Sequence, residues 1–195
     1  MEKRTKIVIA IASALAVGVS IFLIRKTRNK NGQSKSKEVD KSKNFIIGDS
    51  QTPLIDKNSE KTTTIGAEGK ASLWQSGKSL DWLKQAVDEY QESKDVNSIV
   101  INIGTNGGFN TNENIQGLVD SVKTKFPNAQ LYVVKGSWGW GNNKNVTQEQ
   151  INAYYGKFSP LGVGIIPTAI GFTDNPHNNI PSYAQIGKEI DVAIN

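Results

Sequence analysis

Short apolar runs alternate with amphipathic segments between residues 44 and 195. Five of the runs are typical of buried parallel strands, because each is short and almost wholly apolar. These predicted strands are residues 44–48, 71–75, 98–104, 130–135 and 163–169. The alternation of strands with helices predicts a three-layer α/β domain, in which right-handed crossovers join a parallel sheet of about five strands.

The segments between the predicted strands, and the last segment of the chain, repeat apolar residues at helical spacing. The repeats are Leu80, Leu83, Val87 and Tyr90; Ile115, Leu118, Val119, Val122 and Phe126; Ile151, Tyr154, Tyr155 and Phe158; and Tyr183, Ile186, Ile190 and Ile194. Such spacing puts the apolar side chains on one helix face, which packs on the sheet. Before the third helix, Thr147 and Gln150 have the spacing of a capping box, in which each side chain satisfies a backbone N–H group.

The first 24 residues have a different pattern. Residues 7–24 are eighteen uncharged and mostly apolar residues, with Lys and Arg on both sides. As a helix they would be ~27 Å long, which nearly matches the ~30 Å hydrocarbon core of a bilayer. The segment therefore predicts a transmembrane helix, with its charged ends held in the headgroup regions.

A cleaved signal peptide is the alternative for this segment, because a charged start followed by an apolar stretch is its signature. An A-x-A site occurs at residues 14–16, but cleavage there would leave residues 17–24 as an apolar new terminus. We therefore favour the uncleaved anchor. Its orientation stays open: the Lys and Arg residues that follow it favour a cytoplasmic domain, yet long domains are translocated regardless of such charges. We expect the extracytoplasmic side.

The net charge of +5 belongs to the N-terminal segment. Residues 1–44 contain 11 Lys and Arg residues and 3 acidic residues, whereas residues 45–195 contain 12 lysines and 15 acidic residues. A domain with an excess of acidic residues argues against nucleic-acid binding, which needs clustered positive charge. Residues 25–44 contain one apolar side chain, Val39, among many Lys, Asn and Ser residues. This composition predicts a flexible stalk between the anchor and a domain of residues 45–195.

The chain contains no cysteine and one histidine. The absence of cysteine excludes a disulfide scaffold, a thiolate zinc site and a cysteine nucleophile. Any imidazole base must be His177, which stands three residues after Asp174. At that spacing the carboxylate can accept a hydrogen bond from the imidazole, fix its tautomer and stabilise its protonated form.

Polar and glycine-rich loops follow the predicted strands. They include residues 48–50 (GDS), 76–79 (SGKS), 104–108 (GTNGG) and 171–177 (GFTDNPH). Each is an ordinary turn when taken singly, but the loops at the carboxyl ends of parallel strands meet at one crevice. Ser50 is a weak nucleophile until a base takes its proton. The loops therefore predict a triad of Ser50, His177 and Asp174.

A serine that attacks an acyl group also needs hydrogen-bond donors for the oxyanion of the tetrahedral intermediate. The candidates are the backbone N–H groups of Ser50 and Gly77 and the side-chain amide of Asn106. Gly77 follows a predicted strand and precedes a helix, but Gly66 and Gly69 lie in the same region and stay open as alternatives. A purely structural turn role also stays open for Gly77 and for Asn106.

The four blocks together resemble those of the SGNH hydrolases, also called GDSL-type esterases and lipases. The matching positions, in the block order of that family, are Gly48-Asp49-Ser50, residues 76–79 around Gly77, Gly104-x-Asn106 and Asp174-x-x-His177. The resemblance implies a flavodoxin-like sheet and hydrolysis of acyl esters on carbohydrates or lipids, with neither metal nor cofactor. The polar stretch of residues 56–64 has no place in the family pattern.

Trp138 and Trp140 lie among glycines and asparagines after the fourth predicted strand, and therefore at the same edge. They suit stacking on sugar rings, and they equally suit a packed cover over the loop. No long apolar lid segment is present, which favours a small acyl group such as acetyl. We expect a membrane-anchored esterase acting on an envelope or surface polysaccharide. The alternatives are a non-catalytic glycan-binding surface or virion module, and a lipid esterase that faces the cytoplasm.

Overall fold

A computed structural model describes residues 41–66, 71–136, 145–167 and 180–194. The chain divides into two units between residues 39 and 40, and every described residue belongs to the second unit. Within these ranges no helix is long and apolar enough to cross a bilayer. The predicted anchor in residues 7–24, and the stalk as far as residue 40, lie outside the described residues.

Strands and helices alternate along the described chain. Their order is β1 (Asn44–Gly48), α1 (Thr52–Asp56), β2 (Thr63–Thr64), α2 (Leu80–Glu89), β3 (Ser98–Asn102), α3 (Ile115–Lys125), β4 (Gln130–Val134), α4 (Gln148–Gly156), β5 (Gly164–Ile166) and α5 (Ile180–Ala193). Two short 3-10 helices, Lys41–Lys43 and Ser159–Leu161, precede β1 and β5.

The five strands form one parallel sheet in the order β2-β1-β3-β4-β5. β1 and β3 pair over their full length, from Asn44 opposite Ser98 to Gly48 opposite Asn102. Helix α1 packs against α5, and α2 packs against α3. Because crossovers between parallel strands are right-handed, the two pairs cover opposite faces of the sheet. The predicted three-layer α/β fold with flavodoxin-like strand order is confirmed.

The apolar positions at helical spacing also behave as predicted. All of them are buried except Tyr90, which is half-buried. Strand β3 is buried along its whole length, as expected for the central strand of a sheet covered on both faces. Each fully buried Leu, Ile or Val contributes roughly 1.5 to 3 kcal/mol relative to its exposed state. These side chains form one continuous core, which holds the strands and their carboxyl ends in place.

The predicted strand at residues 71–75 is wrong. The second strand is β2, two threonines within the polar stretch that follows α1. Residues 71–75 run beside the end of β1 instead, joined to it by one bridge between Trp74 and Gly48. A longer ladder does not form because β2 already pairs with that edge of β1 as far as Ile46, and the Leu73 N–H group donates to the Ile65 carbonyl oxygen at 3.1 Å.

Three other predicted strands end earlier than expected, at Asn102, Val134 and Ile166. For β3 the physical reason is Gly104, whose φ of +119° turns the chain out of the sheet. Helix α1 was not predicted, since its five residues are too few to show a helical period.

Candidate active site

The strand order reverses direction at β1 and β3. The connection after β1 leads to β2 on one side, whereas the connection after β3 leads to β4 on the other. Ligands of parallel α/β sheets bind in the crevice at such a switch point. Ser50 follows β1 by two residues and Asn106 follows β3 by four, so both predicted residues lie at this crevice.

Gly48 lets the nucleophile loop pass very close to β3. A Cβ atom on Gly48 would lie 1.8 Å from the Asn102 carbonyl oxygen, and the φ of Gly48 is +147°. No other residue type fits there without moving one of the two central strands. The next residue, Asp49, then donates its backbone N–H to the same carbonyl at 3.2 Å. The first residue of the Gly-Asp-Ser block is therefore required by packing.

Asp49 is the hub of the hydrogen bonds behind Ser50. Its side chain is 1% exposed, and its Oδ1 accepts from the Gln51 backbone N–H at 3.0 Å and from Asn102 Nδ2 at 3.1 Å. Its Oδ2 accepts from Asn106 Nδ2 at 3.3 Å. One carboxyl group thus ties the nucleophile turn to two asparagines of the neighbouring strand and loop.

Burial raises the pKa of Asp49 to about 7, although its hydrogen bonds from Gln51 and Asn102 lower the pKa in part. Tyr183, in the first turn of α5, lies close enough for the Asp49 charge to act on it. Burial raises the pKa of the Tyr183 hydroxyl, and the Asp49 carboxylate raises it further.

The Asn106 amide connects the third block to the glycine block. Its Nδ2 donates to the Lys78 carbonyl oxygen at 3.0 Å as well as to Asp49 Oδ2. The turn at residues 76–79 is in turn held to β1, because Gln75 N donates to the Gly48 carbonyl oxygen at 3.1 Å. The structure thus brings the predicted Ser50, Gly77 and Asn106 loops together at one edge.

Gly77 and Gly66 lie in different surroundings. Both have a left-handed φ, +70° at Gly77 and +73° at Gly66. A Cβ atom on Gly77 would have no atom within 4 Å, whereas one on Gly66 would lie 2.7 Å from the Ala71 carbonyl oxygen. Gly66 is packed against its own loop, while Gly77 faces open space beside Asn106. The third candidate, Gly69, lies outside the described residues.

Helix α4 supports the loop that carries Asn106. Gln150 Nε2 donates to the Gly108 carbonyl oxygen at 3.0 Å, and the Tyr155 hydroxyl donates to the Ile103 carbonyl oxygen at 2.8 Å. Within the loop, Phe109 has a left-handed φ of +53° and is fully buried. Its ring packs on those of Tyr154 and Tyr155, with centroids 5.9 Å away in both. This aromatic packing supports a backbone conformation that is unfavourable for a bulky residue.

The predicted capping box at the start of α4 is half correct. Thr147 Oγ1 accepts from the Gln150 backbone N–H at 3.2 Å, as predicted. The Gln150 side chain does not return to Thr147, however, because it reaches the Gly108 loop instead. A residue predicted to complete a helix cap therefore connects α4 to the candidate site.

Several predicted site residues lie outside the described ranges: Asp174 and His177 of the triad, and Trp138 and Trp140 of the fourth loop. The sequence predictions did not include Asp49, Gln51 or Gln150 as site residues. Gln51 is buried, and its Nε2 donates to Thr105 Oγ1 at 3.2 Å. Among the described residues, no group of three His, Asp or Glu side chains could hold a metal ion.

No protein-family model matches the sequence, and no curated protein matches it. Solved structures do match. A protein from Streptococcus pneumonia assigned as a platelet activating factor has 16% identity and a TM-score of 0.56, and the match covers 93% of this chain and 99% of that one. A protein from Desulfitobacterium hafniense assigned to the lipolytic G-D-S-L family has 9% identity and a TM-score of 0.55, over 76% of this chain and 97% of that one.

At such identities the likeness concerns the fold. The strand order, the switch point between β1 and β3 and the three blocks that meet there agree with the fold that the resemblance implied. The chain therefore has the fold of the SGNH-type hydrolases.

Proposed function

We propose that the protein is a serine ester hydrolase, with Ser50 as nucleophile, His177 as general base and Asp174 as the carboxylate that orients His177. The observation that carries this proposal is the hydrogen bonding of Asp49 and Lys78 to Asn106. These bonds join the nucleophile, glycine and third blocks of the sequence at the switch point of the sheet.

The proposed reaction begins with attack of Ser50 Oγ on the acyl carbon, while His177 takes the hydroxyl proton. The alcohol then leaves with that proton, and an acyl group remains on Ser50. Water, deprotonated by His177, attacks this acyl-enzyme and releases the acid.

The oxyanion of each intermediate is proposed to bind the backbone N–H groups of Ser50 and Gly77 and the amide of Asn106. The open space at Gly77 supports this, because no side chain blocks the approach. Both Nδ2 hydrogens of Asn106 have acceptors in the structure, Lys78 and Asp49. Binding an oxyanion would therefore replace one of these two bonds. The other bond would keep the Asn106 amide in its orientation.

The direct test is hydrolysis of 4-nitrophenyl acetate by the full-length chain in mild detergent. We expect Ser50→Ala to lose at least about a thousandfold in kcat, as removal of a serine nucleophile does. Ser76→Ala, an exposed serine of the glycine block, is the matched control and should keep most of its activity. Equal rates for wild type and Ser50→Ala would refute the assignment.

A fluorophosphonate probe distinguishes this enzyme from a non-catalytic glycan-binding module on the same fold. Only a serine activated by a base reacts quickly with the probe. We expect labelling of the wild type and none of Ser50→Ala. A folded wild type that stays unlabelled would favour the binding module.

The proposed setting is a membrane surface, with residues 7–24 as anchor and the domain on the extracytoplasmic side. The proposed substrate is a small acyl ester, acetyl above all, on a surface polysaccharide, with Trp138 and Trp140 contacting the sugar. Added protease should cleave the domain in intact cells. Protection of the domain would instead support a lipid esterase facing the cytoplasm.

A further inference from the structure

A cavity of about 640 Å³ lies between residues 71–75 and helix α2, outside the site described above. Its wall on the helix side is a second face of α2, beside the one that packs in the core. Trp82, Gln85, Ala86 and Glu89 stand at positions i, i+3, i+4 and i+7 of this face, so they form one stripe. Trp82 and Ala86 are half-buried and the other two are exposed. Trp82 and Ala86 also pack in part against the core, and the remainder of the stripe faces the cavity.

One end of the cavity, at Gln75, lies beside the candidate active site. Residues 71–75 run parallel to β1, so their end at Gln75 lies at the carboxyl edge, where Gln75 N bonds to Gly48. Helix α2 starts at the same carboxyl edge and runs antiparallel to the strands. Trp82 therefore lies near the site, and Tyr90 lies at the opposite end of the cavity. The extended segment 71–75 and the segment 82–91 each span roughly 13 Å, which gives the approximate length of the cavity. The cavity is therefore a groove whose Gln75 end lies nearest the candidate site, and none of Ser50, Gly77 and Asn106 lines it.

The chemistry of the groove suits a neutral, hydroxyl-rich chain. The described lining contains two aromatic rings, three amides and one carboxylate beside smaller apolar residues, but neither Lys nor Arg. The rings are Trp82 and Tyr90, the amides Gln75, Gln85 and Gln91, and the carboxylate Glu89. An amide both donates and accepts hydrogen bonds, which matches a hydroxyl group, and half-buried rings offer apolar faces. A long acyl chain would need an apolar lining, and an anionic polymer would need positive charge.

We propose that this groove binds the sugar chain that carries the ester, on the side of the site opposite β4, and so selects an oligosaccharide over a single sugar. This inference rests on the proposed esterase function. It adds the class of substrate and the residues that would bind it. Gln85 and Gln91 would bond sugar hydroxyl groups, Trp82 and Tyr90 would pack on sugar rings, and Ala86 would form the floor.

The test compares acetyl esters of three sizes: 4-nitrophenyl acetate, O-acetylated single sugars, and O-acetylated six-sugar chains of glucose, xylose or N-acetylglucosamine. For at least one sugar we expect the wild type to prefer the six-sugar ester in kcat/KM. The double variant Gln85→Ala/Gln91→Ala should lose about tenfold on that ester, as expected for two lost hydrogen bonds, with no change on 4-nitrophenyl acetate. Ala86→Trp, which fills the floor, should have the same selective effect.

The control is Gln116→Ala on α3. Gln116 is exposed and bonds Asp120 at i+4, as Gln85 bonds Glu89, but it lies outside the groove. This variant should behave as wild type on all three substrates. Equal losses on every substrate, no loss on the six-sugar ester, or no preference for chain length in the wild type would overturn the proposal.

If 4-nitrophenyl acetate itself is not hydrolysed, the proposed function fails, and binding decides the groove separately. Isothermal titration with the unacetylated six-sugar chains then gives the answer. Binding that Gln85→Ala/Gln91→Ala weakens and Gln116→Ala does not would support the groove. Absence of binding in the wild type, or equal binding by all variants, would refute it.

Discussion

Asp49 combines full burial with three accepted hydrogen bonds, and this combination affects stability as well as the site. Its pKa is about 7 in the folded protein, against an ordinary value of 3.8. The native state therefore keeps a proton between about pH 4 and 7 that the unfolded chain has lost. The free energy of unfolding should fall as the pH rises through this window.

The Asp49→Asn variant tests this directly, since an amide cannot titrate. Between about pH 4 and 7.5 the wild type should lose on the order of a few kcal/mol relative to the variant. Urea unfolding at a series of pH values measures the difference. Asp56→Asn is the control. Burial also raises the pKa of Asp56, but this residue is only half-buried, so the variant should keep most of the wild-type decrease in unfolding free energy with pH. Parallel curves for wild type and Asp49→Asn would contradict the prediction.

Gly77 has a matched partner elsewhere in the chain. Gly162, after the second 3-10 helix, has a φ of +76° and, like Gly77, no atom within 4 Å of a built Cβ. Alanine at either position should cost roughly 1 to 2 kcal/mol of stability, the penalty of the left-handed conformation.

The two alanine variants should therefore unfold at similar urea concentrations but differ in catalysis. Gly77→Ala puts a methyl group beside the proposed oxyanion, and we expect kcat on 4-nitrophenyl acetate to fall at least tenfold, about 1.4 kcal/mol of barrier. Gly162→Ala should keep wild-type kcat. If both variants hydrolyse the ester equally well, Gly77 is not an oxyanion donor.

At the scale of elements, α4 supports the site loop through Gln150 as well as through Tyr155. Gln150→Ala should free the Gly108 loop while leaving the helix cap in place, because the cap uses the Gln150 backbone N–H. We expect kcat to fall severalfold with less than about 1 kcal/mol of stability lost. Thr147→Ala is the converse change: about 1 kcal/mol of stability should be lost with kcat unchanged. The same kcat in both variants would refute the role of Gln150.

The elements that the sequence predicted are those with many apolar residues. β1, β3 and β4 are largely apolar runs, and each helical repeat covers about two turns or more of contact with the core. β2 escaped prediction because two threonines among polar residues have no distinguishing period. Residues 71–75 were predicted as a strand because their composition is strand-like, but β2 occupies the edge of β1 beside which they would pair, and the sequence does not show this competition.

Some residues of the candidate site could likewise be predicted from the sequence, and others could not. Ser50, Gly77 and Asn106 were identifiable because each stands in a short block directly after a predicted strand. Asp49 was overlooked, since a carboxylate next to a glycine is ordinary in an exposed turn and nothing in the sequence marks it as buried. Gln150 was assigned to a cap because local spacing cannot show that its side chain crosses to another loop 42 residues away.

At the scale of the whole molecule, one residue fastens the last helix. Asp191 of α5 accepts from Ser59 Oγ at 2.6 Å and from the backbone N–H groups of Glu60 and Lys61 at 2.8 and 3.1 Å. Gly187 allows the close approach, since a Cβ there would lie 2.1 Å from the Asn58 carbonyl oxygen. These contacts join the end of the chain to the loop before β2.

Asp191→Ala should therefore lower the free energy of unfolding by about 3 kcal/mol, because hydrogen bonds to a charged group are among the stronger ones. Chemical denaturation of the full chain measures this. Glu189→Ala, on the same helix and paired with Gln185 at i−4, should cost less than about 0.5 kcal/mol. Similar losses in the two variants would show that Asp191 does not fasten the helix.

The sheet has its shortest strands at its two edges: β2 with two residues and β5 with three. Unpaired edges of long strands are templates on which a second chain can add, and shortening them removes the template. A domain held at a membrane by residues 7–24 would meet its own copies far more often than one in dilute solution. Because its edge strands are so short, such a domain would resist edge-to-edge aggregation even where many copies are held close together.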